Sequence, residues 1–308
     1  MRKPNSETLR EESKRLHAIH AEYAKFYEMA DDVELKEITD DVLQSPYTKK
    51  AQKESIQTLN RRILVFSYPS DGLRIKGLVS FVPDPENHPL LVVLRGGNKI
   101  FGLLNPGSDL ACFERYTVIS TMYRDGVSEG KDEFGGEDVN DVKNLMAFVP
   151  DLEKKLGLNF QNNKNYLLGA SRGGMQMFLA LARFPELQKR FTKIVSLCGL
   201  LDLRRSILDR PDMEEMFIAD FGLERGNEKE WINKRDPLLT AEHMDPALPI
   251  LLIQSTDDNR VSLEEGYHML AQLQAAEKNV TYWEIEAADH CLTNREDRVD
   301  LLLKWFEG

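Results

Sequence analysis

The sequence predicts a doubly wound α/β fold, with a mostly parallel sheet carrying helices on both faces and an N-terminal helical extension ahead of it. Three observations carry this. Short, nearly continuous apolar runs recur along the chain: LLVVL (90–94), TVISTM (117–122), NYLLG (165–169), IVSLC (194–198) and ILLI (250–253). Runs of that length suit strands buried on both faces, as in a parallel sheet. Helical patterns lie between several of them, the alternation a doubly wound sheet requires. Finally, NYLLG passes through a glycine-rich turn into MQMFLALARF (175–184), which is apolar nearly all round and therefore expected as a central, buried helix.

In chain order, Leu16, Ile19, Tyr23, Phe26 and Tyr27 recur at helical spacing and predict an amphipathic helix over residues 6–30. Leu35, Ile38 and Val42 continue the pattern, and residues 48–60 are expected as a further helix. This extension, residues 1–60, must cover its apolar face against something. From Arg61 the period changes: ILVFSYPSDGLRIKGLVSFV predicts two strands around a turn at Ser70-Asp71-Gly72, opening a second domain that runs from 61 to 308. Val142, Leu145, Met146, Val149 and Leu152 mark a helix over 139–156, with Asp138 and Asp141 where acids suit the helix dipole. Residues 262–275 are helical in pattern, VTYWEIE (280–286) is a last strand, and residues 293–306 form a closing helix with Leu301, Leu302, Trp305 and Phe306 on its apolar side.

Composition narrows the function classes. The 308 residues are 42% hydrophobic and 30% charged, enough to build a deep core without covalent staples. The three cysteines, Cys112, Cys198 and Cys291, include no CxxC pair, which argues against a disulfide framework or a structural zinc. No stretch approaches about 18 apolar residues, and the N-terminus has no signal-like apolar core. No membrane insertion and a cytoplasmic location are the expectations. The net charge of −11 and the lack of a basic, aromatic-interleaved cluster argue against nucleic acid. No HExxH or carboxylate–histidine pattern points to a metal, and no GxGxxG follows a strand, so no cofactor is expected.

The sharpest signal is Gly169-Ala170-Ser171-Arg172-Gly173-Gly174, a GxSxG placed between a strand and a helix. That context lifts a serine onto a strained turn, and the backbone N–H of Arg172 at the helix start then faces a developing oxyanion. A serine hydroxyl is a weak nucleophile and needs a base that is itself held by an acid. In the chain order Ser, acid, His, the base is His290, in the loop after the last strand; His268 lies within a helical stretch. Asp257 and Asp258 both follow the strand at 250–253, one expected as the acid and the other as a turn residue, with Asp289 a weaker rival. Cys291 is expected to pack, because no strand–turn–helix elbow presents it.

From about residue 62 onward the chain resembles the prolyl oligopeptidase-like branch of the α/β hydrolases. The likeness rests on SDGLRIKG, LLVVLRGGN, MYRDGVSEGKDEFGGEDVNDV, GASRGG, RDPLLTAEHMDPALPILLIQSTDDNRV and ADH. It implies an α/β-hydrolase fold. The family's acid stands three residues before a valine, so Val261 selects Asp258, and the family's base corresponds to His290. Arg260, two residues after the acid, matches an arginine that holds a substrate carbonyl in prolyl oligopeptidases. The family's large β-propeller is not expected, with about sixty residues ahead of the hydrolase core. Where it has His-Gly-Gly-Pro or Tyr-Gly-Gly, this chain has Arg95-Gly96-Gly97-Asn98, so either the Arg95 side chain or a backbone N–H of Gly97 or Asn98 completes the oxyanion hole. Arg95, Arg124 and Arg172 together raise the expectation of a positive pocket for a carboxylate or phosphate on the substrate; against it, Arg124 pairs with Asp132, Glu133 or Asp138. The expected activity is a serine hydrolase acting on a small ester, with a peptidase of short peptides and a non-catalytic binding module on a hydrolase scaffold as the other readings. The N-terminal helices are expected either to roof the site or to form a homo-oligomer surface.

Overall fold

The computed structural model describes residues 6–30, 34–84, 88–160 and 164–308. Among these residues, nine strands form a mostly parallel sheet in the order β1-β2-β3-β5-β4-β6-β7-β8-β9. The chain divides into two compact units: residues 1–131 with 140–166, and residues 132–139 with 167–308.

The first unit contains α1 (Ser6–Ala24), β1 (Leu35–Glu37), α2 (Thr39–Gln44), α3 (Lys50–Thr58), β2 (Arg62–Ser70), β3 (Leu73–Phe81), β4 (Leu90–Leu94), β5 (Thr117–Thr121) and α4 (Asn140–Leu156). β2 and β3 form the expected hairpin, Ser70 opposite Leu73. Asp71 and Gly72 both have positive φ (53° and 81°), as the tight turn of a twisted hairpin demands. β3 pairs antiparallel with β5, and β5 runs parallel to β4, Leu94 opposite Thr121. The helical reading of Leu35, Ile38 and Val42 is corrected: Leu35–Glu37 is an antiparallel edge strand, Leu35 opposite Phe66, and a short helix follows it. Three residues are too few for period two to show. The residues before Arg61 are seated in this unit. Tyr27 is fully buried and donates its hydroxyl to Leu104 O at 2.9 Å, while Asn105 Nδ2 donates to Tyr47 O at 3.0 Å.

β6 (Asn165–Ala170) leads into the second unit, which holds α5 (Arg172–Arg183), β7 (Lys193–Leu197), α6 (Leu203–Asp209), α7 (Pro211–Asp220), α8 (Glu228–Asn233), β8 (Ile250–Ser255), α9 (Leu263–Ala275), β9 (Val280–Ile285) and α10 (Arg298–Glu307). β7, β8 and β9 are parallel, with Ile194 opposite Ile250 and Ile250 opposite Val280. Every residue of α5 from Arg172 to Leu181 is buried, so the helix is central as its apolar composition predicts. Phe134, Phe217, Phe221 and Trp231 form an aromatic cluster, with ring centroids 4.9 Å apart for Phe134–Phe217 and for Phe217–Trp231, 5.3 Å for Phe134–Phe221 and 6.2 Å for Phe217–Phe221. The tilted contact of Phe217 with Trp231 ties α7 to α8. No helix among the described residues is long and apolar enough to cross a membrane.

Candidate active site

Ser171 sits between β6 and α5 with φ 55° and ψ −124°. A backbone state of this kind costs on the order of 1–3 kcal/mol. Its neighbours over-determine it. The Ser171 N–H donates to Leu197 O at 3.0 Å, and its carbonyl accepts from Gly174 N at 2.9 Å and Leu200 N at 3.1 Å. The flanking glycines are required by close approach. A Cβ on Gly169 would collide with Gly173 O, and one on Gly174 would lie 2.7 Å from Ser196 Oγ and 2.8 Å from Gly199 Cα. Strand and helix thus meet backbone to backbone at the serine.

His290 opens a 3₁₀ turn after β9, and its Nδ1 bonds Asp258 Oδ2 at 2.8 Å. The other carboxylate oxygen of Asp258 accepts the N–H groups of Arg260 (2.8 Å) and Val261 (3.0 Å). That turn is the physical content of the D-x-x-V spacing, because it aims one oxygen at its own backbone and leaves the other for the imidazole. Burial pushes the Asp258 carboxyl up, but the charge and hydrogen bond of His290, with those two N–H groups, hold it below the usual range. The stability it contributes is therefore present above the ordinary carboxylate pKa and lost as pH falls through the lowered folded value. Asp257 is exposed, and among the described residues its carboxylate accepts a single, 3.4 Å bond, from Thr256 Oγ1. Asp289 accepts from Thr293 Oγ1 at 2.5 Å and Asn294 N at 3.1 Å, within its own turn. His268 is on α9 and bonds Asp202 at 2.7 Å.

One carbonyl links the serine turn to the histidine loop. Leu197 O, which receives the Ser171 N–H, also receives the Cys291 thiol at 3.8 Å. The neighbouring Cys198 sulfur and burial push the Cys291 thiol well up, so it stays protonated and is no rival nucleophile.

The arginines correct the expected anion pocket. The Arg172 N–H lies in the first turn of α5, at the positive end of the helix dipole. Its guanidinium, 1% exposed, bonds both oxygens of Asp132 at 2.6 Å and Asp138 at 2.7 Å and lies 4.3 Å from the Phe134 ring. Asp138 also accepts from Gly135 N, Gly136 N and the Gln176 amide. Burial raises its carboxyl, but Arg172 and these donors outweigh it and hold the group below its usual range. In the other unit, Arg124 is gripped by Asp141 (2.9 and 3.2 Å) and Asp71 (2.8 Å), so its acids are not those of its own loop. The Arg95 guanidinium donates to the carbonyls of Met122, Gly96, Phe101 and Lys99 at distances from 2.7 to 3.2 Å. It organises the loop carrying Gly97 and Asn98 and has no N–H left to direct at an oxyanion. Each guanidinium expected to greet an anion is instead buried against carboxylates or carbonyls. Arg260, in the serine's unit, contributes its N–H to Asp258 and its carbonyl to Arg210 Nη1 at 3.1 Å.

Replacing Arg172 by alanine leaves two buried carboxylates without their partner. The expected loss is about 3–5 kcal/mol, a fall in thermal midpoint on the order of 10 °C. A midpoint unchanged from the parent would show that the cluster contributes nothing to stability.

Sequence reasoning missed Glu265. It is buried on α9, and its Oε2 accepts Leu201 N at 3.0 Å and Asp202 N at 3.3 Å, fixing the loop whose Leu200 N–H reaches Ser171 O. The signal was its place on the same helix stripe as buried Met269 and Leu273. Burial pushes its carboxyl from 4.5 to about 8. The folded protein then holds a proton that the unfolded chain has released, so stability falls as pH rises through that window, by about 1.4 kcal/mol per pH unit. Glu265→Gln is expected to flatten that slope and to stabilise the protein near pH 7 by about 2–3 kcal/mol. Urea midpoints measured across the window check this; a slope that persists in the variant assigns it to another group.

A strained serine on a strand–helix turn, followed in the chain by a histidine held by an aspartate, defines a serine hydrolase of the α/β-hydrolase class. The model of the prolyl oligopeptidase family matches residues 128–308, more than half of the chain, and the chain belongs to that family. A Bacillus subtilis protein described as an uncharacterized peptidase, YtmA, is 26% identical over 251 residues, covering 80% of this chain and 94% of its own length. Among solved structures, Pyrococcus horikoshii acylaminoacyl peptidase superposes with a TM-score of 0.65 at 22% identity over 79% of this chain, which spans 41% of that protein. A Pyrococcus furiosus esterase gives 0.58 at 15% identity, covering 82% of this chain and 92% of its own. These two likenesses establish the fold.

Proposed function

We propose that the protein hydrolyses small carboxylic esters through an acyl-enzyme on Ser171, with His290 as general base and Asp258 as the acid that orients it. The observation that carries this reading is the 2.8 Å bond between His290 Nδ1 and Asp258. It leaves Nε2 as the ring atom that takes the Ser171 proton as Oγ attacks the carbonyl. The Arg172 N–H stabilises the oxyanion. His290 then returns the proton to the leaving alkoxide, and water repeats the cycle on the acyl-enzyme. The near-complete coverage of the P. furiosus esterase favours a small substrate. The coverage of the B. subtilis protein, with Arg260 two residues after the acid, favours a second reading: a peptidase of short peptides.

A fluorophosphonate probe is expected to label wild-type protein and not Ser171→Ala. A panel of p-nitrophenyl esters against aminoacyl and prolyl anilides separates the two substrates. Ester turnover with anilide rates at the Ser171→Ala background supports the first reading. Anilide cleavage comparable with ester cleavage overturns it in favour of the second.

A further inference from the structure

Three side chains with metal-binding atoms converge at the end of β7. A Sγ from Cys198, a Sγ from Cys291 and a ring nitrogen of His290 all lie within 4.8 Å of one another. No spacing in the sequence announces the group, because it is assembled from the end of β7 and the loop after β9. Each member is held in place. Cys198 donates its N–H to Ile253 O at 2.8 Å, and its sulfur lies 3.4 Å from Ser255 Oγ, which in turn donates to Asp289 O at 2.8 Å. Cys291 is tied through its sulfur to Leu197 O. His290 presents Nδ1 to Asp258.

We propose that Cys198, Cys291 and His290 form a site for a thiophilic divalent cation, zinc foremost, whose binding silences the hydrolase by occupying the imidazole nitrogen that must receive the Ser171 proton. The proposal rests on His290 being the catalytic base. With Nδ1 committed to Asp258, Nε2 is the ring atom open to a metal, and a carboxylate behind a ligating histidine is the arrangement that orients such ligands. Two sulfurs and one imidazole select zinc or cadmium over magnesium or calcium, which take oxygen. Zinc bonds of about 2.3 Å to sulfur and about 2.0–2.1 Å to nitrogen put tetrahedral ligand atoms roughly 3.5–3.8 Å apart, so the side chains close by about an ångström. Each cysteine S–H bond breaks as a sulfur–metal bond forms. Two protons leave to solvent and nothing is oxidised. The metal's own charge stabilises thiolates that this buried setting otherwise disfavours. Cys198 is buried while His290 is partly exposed, 17% at its side chain, which gives an ion a side to enter from. Three protein ligands leave a fourth position for water.

Cadmium, whose thiolate complexes absorb in the near ultraviolet, is titrated into Ser171→Ala protein. The expected result is a saturating charge-transfer band at one equivalent, diminished and weakened in affinity by about ten- to hundredfold in Cys198→Ser and in Cys291→Ser carried on that background. Wild-type protein is then labelled with fluorophosphonate in zinc or in chelator. Zinc is expected to slow labelling at least about tenfold, reversibly. In each cysteine variant, with its own chelator-treated rate as reference, that ratio is expected to return toward one. Absence of the band removes the site. A band without slowed labelling removes the regulation, and so does slowing undiminished in both cysteine variants. Failure to label in chelator strikes the acyl-enzyme reading alone, since the cadmium titration does not involve Ser171.

Discussion

Ser171→Ala is expected to lower kcat by roughly 10⁴–10⁶-fold while leaving the fold intact. A serine hydrolase that loses its nucleophile keeps only the acceleration supplied by substrate binding and oxyanion stabilisation, so the loss is nearly the whole of covalent catalysis. Folding should be indifferent to the change, because the bonds that hold Ser171 run from its backbone, to Leu197, Gly174 and Leu200. Alanine bears the same φ of 55° at the same cost. Ser171→Gly separates the two roles further. It should be equally inactive yet more stable, by about 1–2 kcal/mol, because glycine relieves the strained turn. Steady-state hydrolysis and a thermal melt on the two variants check both halves. Residual turnover within tenfold of wild type would move the chemistry to another residue.

Asp258→Asn should lower kcat by about 10⁴-fold with little change in KM. The Asp258 side chain is 1% exposed and joins two backbone N–H groups to one imidazole nitrogen. An asparagine keeps the turn, since its carbonyl oxygen still accepts from Arg260 and Val261. Its amide, however, donates toward Nδ1, which inverts the histidine tautomer and removes the charge that stabilises the imidazolium. Asp257→Asn, on an exposed carboxylate, should change kcat only a few-fold. The pair of variants separates adjacent aspartates by geometry. Equal losses at the two positions would show that Asp258 is not specially placed.

The parts of this molecule legible in the sequence are those with local causes. The apolar runs of β4 to β8 stand out because each strand is buried on both faces, and the serine turn stands out because two glycines are forced by approach of backbone to backbone. Asp258 is told from Asp257 only through the resemblance, whose acid stands three residues before a valine; in the folded chain its Oδ1 accepts the N–H groups of Arg260 and Val261. The guanidinium partners were not legible. Arg124 meets Asp71 across 53 residues and Arg172 meets Asp132 across 40, pairings that exist only once the chain is folded. β1 escaped because three residues cannot display a period. α6 to α8 escaped because they are short, and Phe217 of α7 and Trp231 of α8 serve an aromatic cluster that no single stretch reveals.

Asp132–Val139 belongs to the serine's unit although the stretches on either side of it, Met1–Lys131 and Asn140–Tyr166, belong to the other. A gene trimmed to begin at Leu167 would still encode all three residues of the proposed triad. It would encode Arg172 as well, but neither Asp132 nor Asp138, and so would take from that buried guanidinium both carboxylates it bonds. Anyone splitting, permuting or grafting this enzyme must carry that short upstream passage along, because the carboxylates that hold Arg172, the neighbour of Ser171, are written outside the contiguous half that bears it.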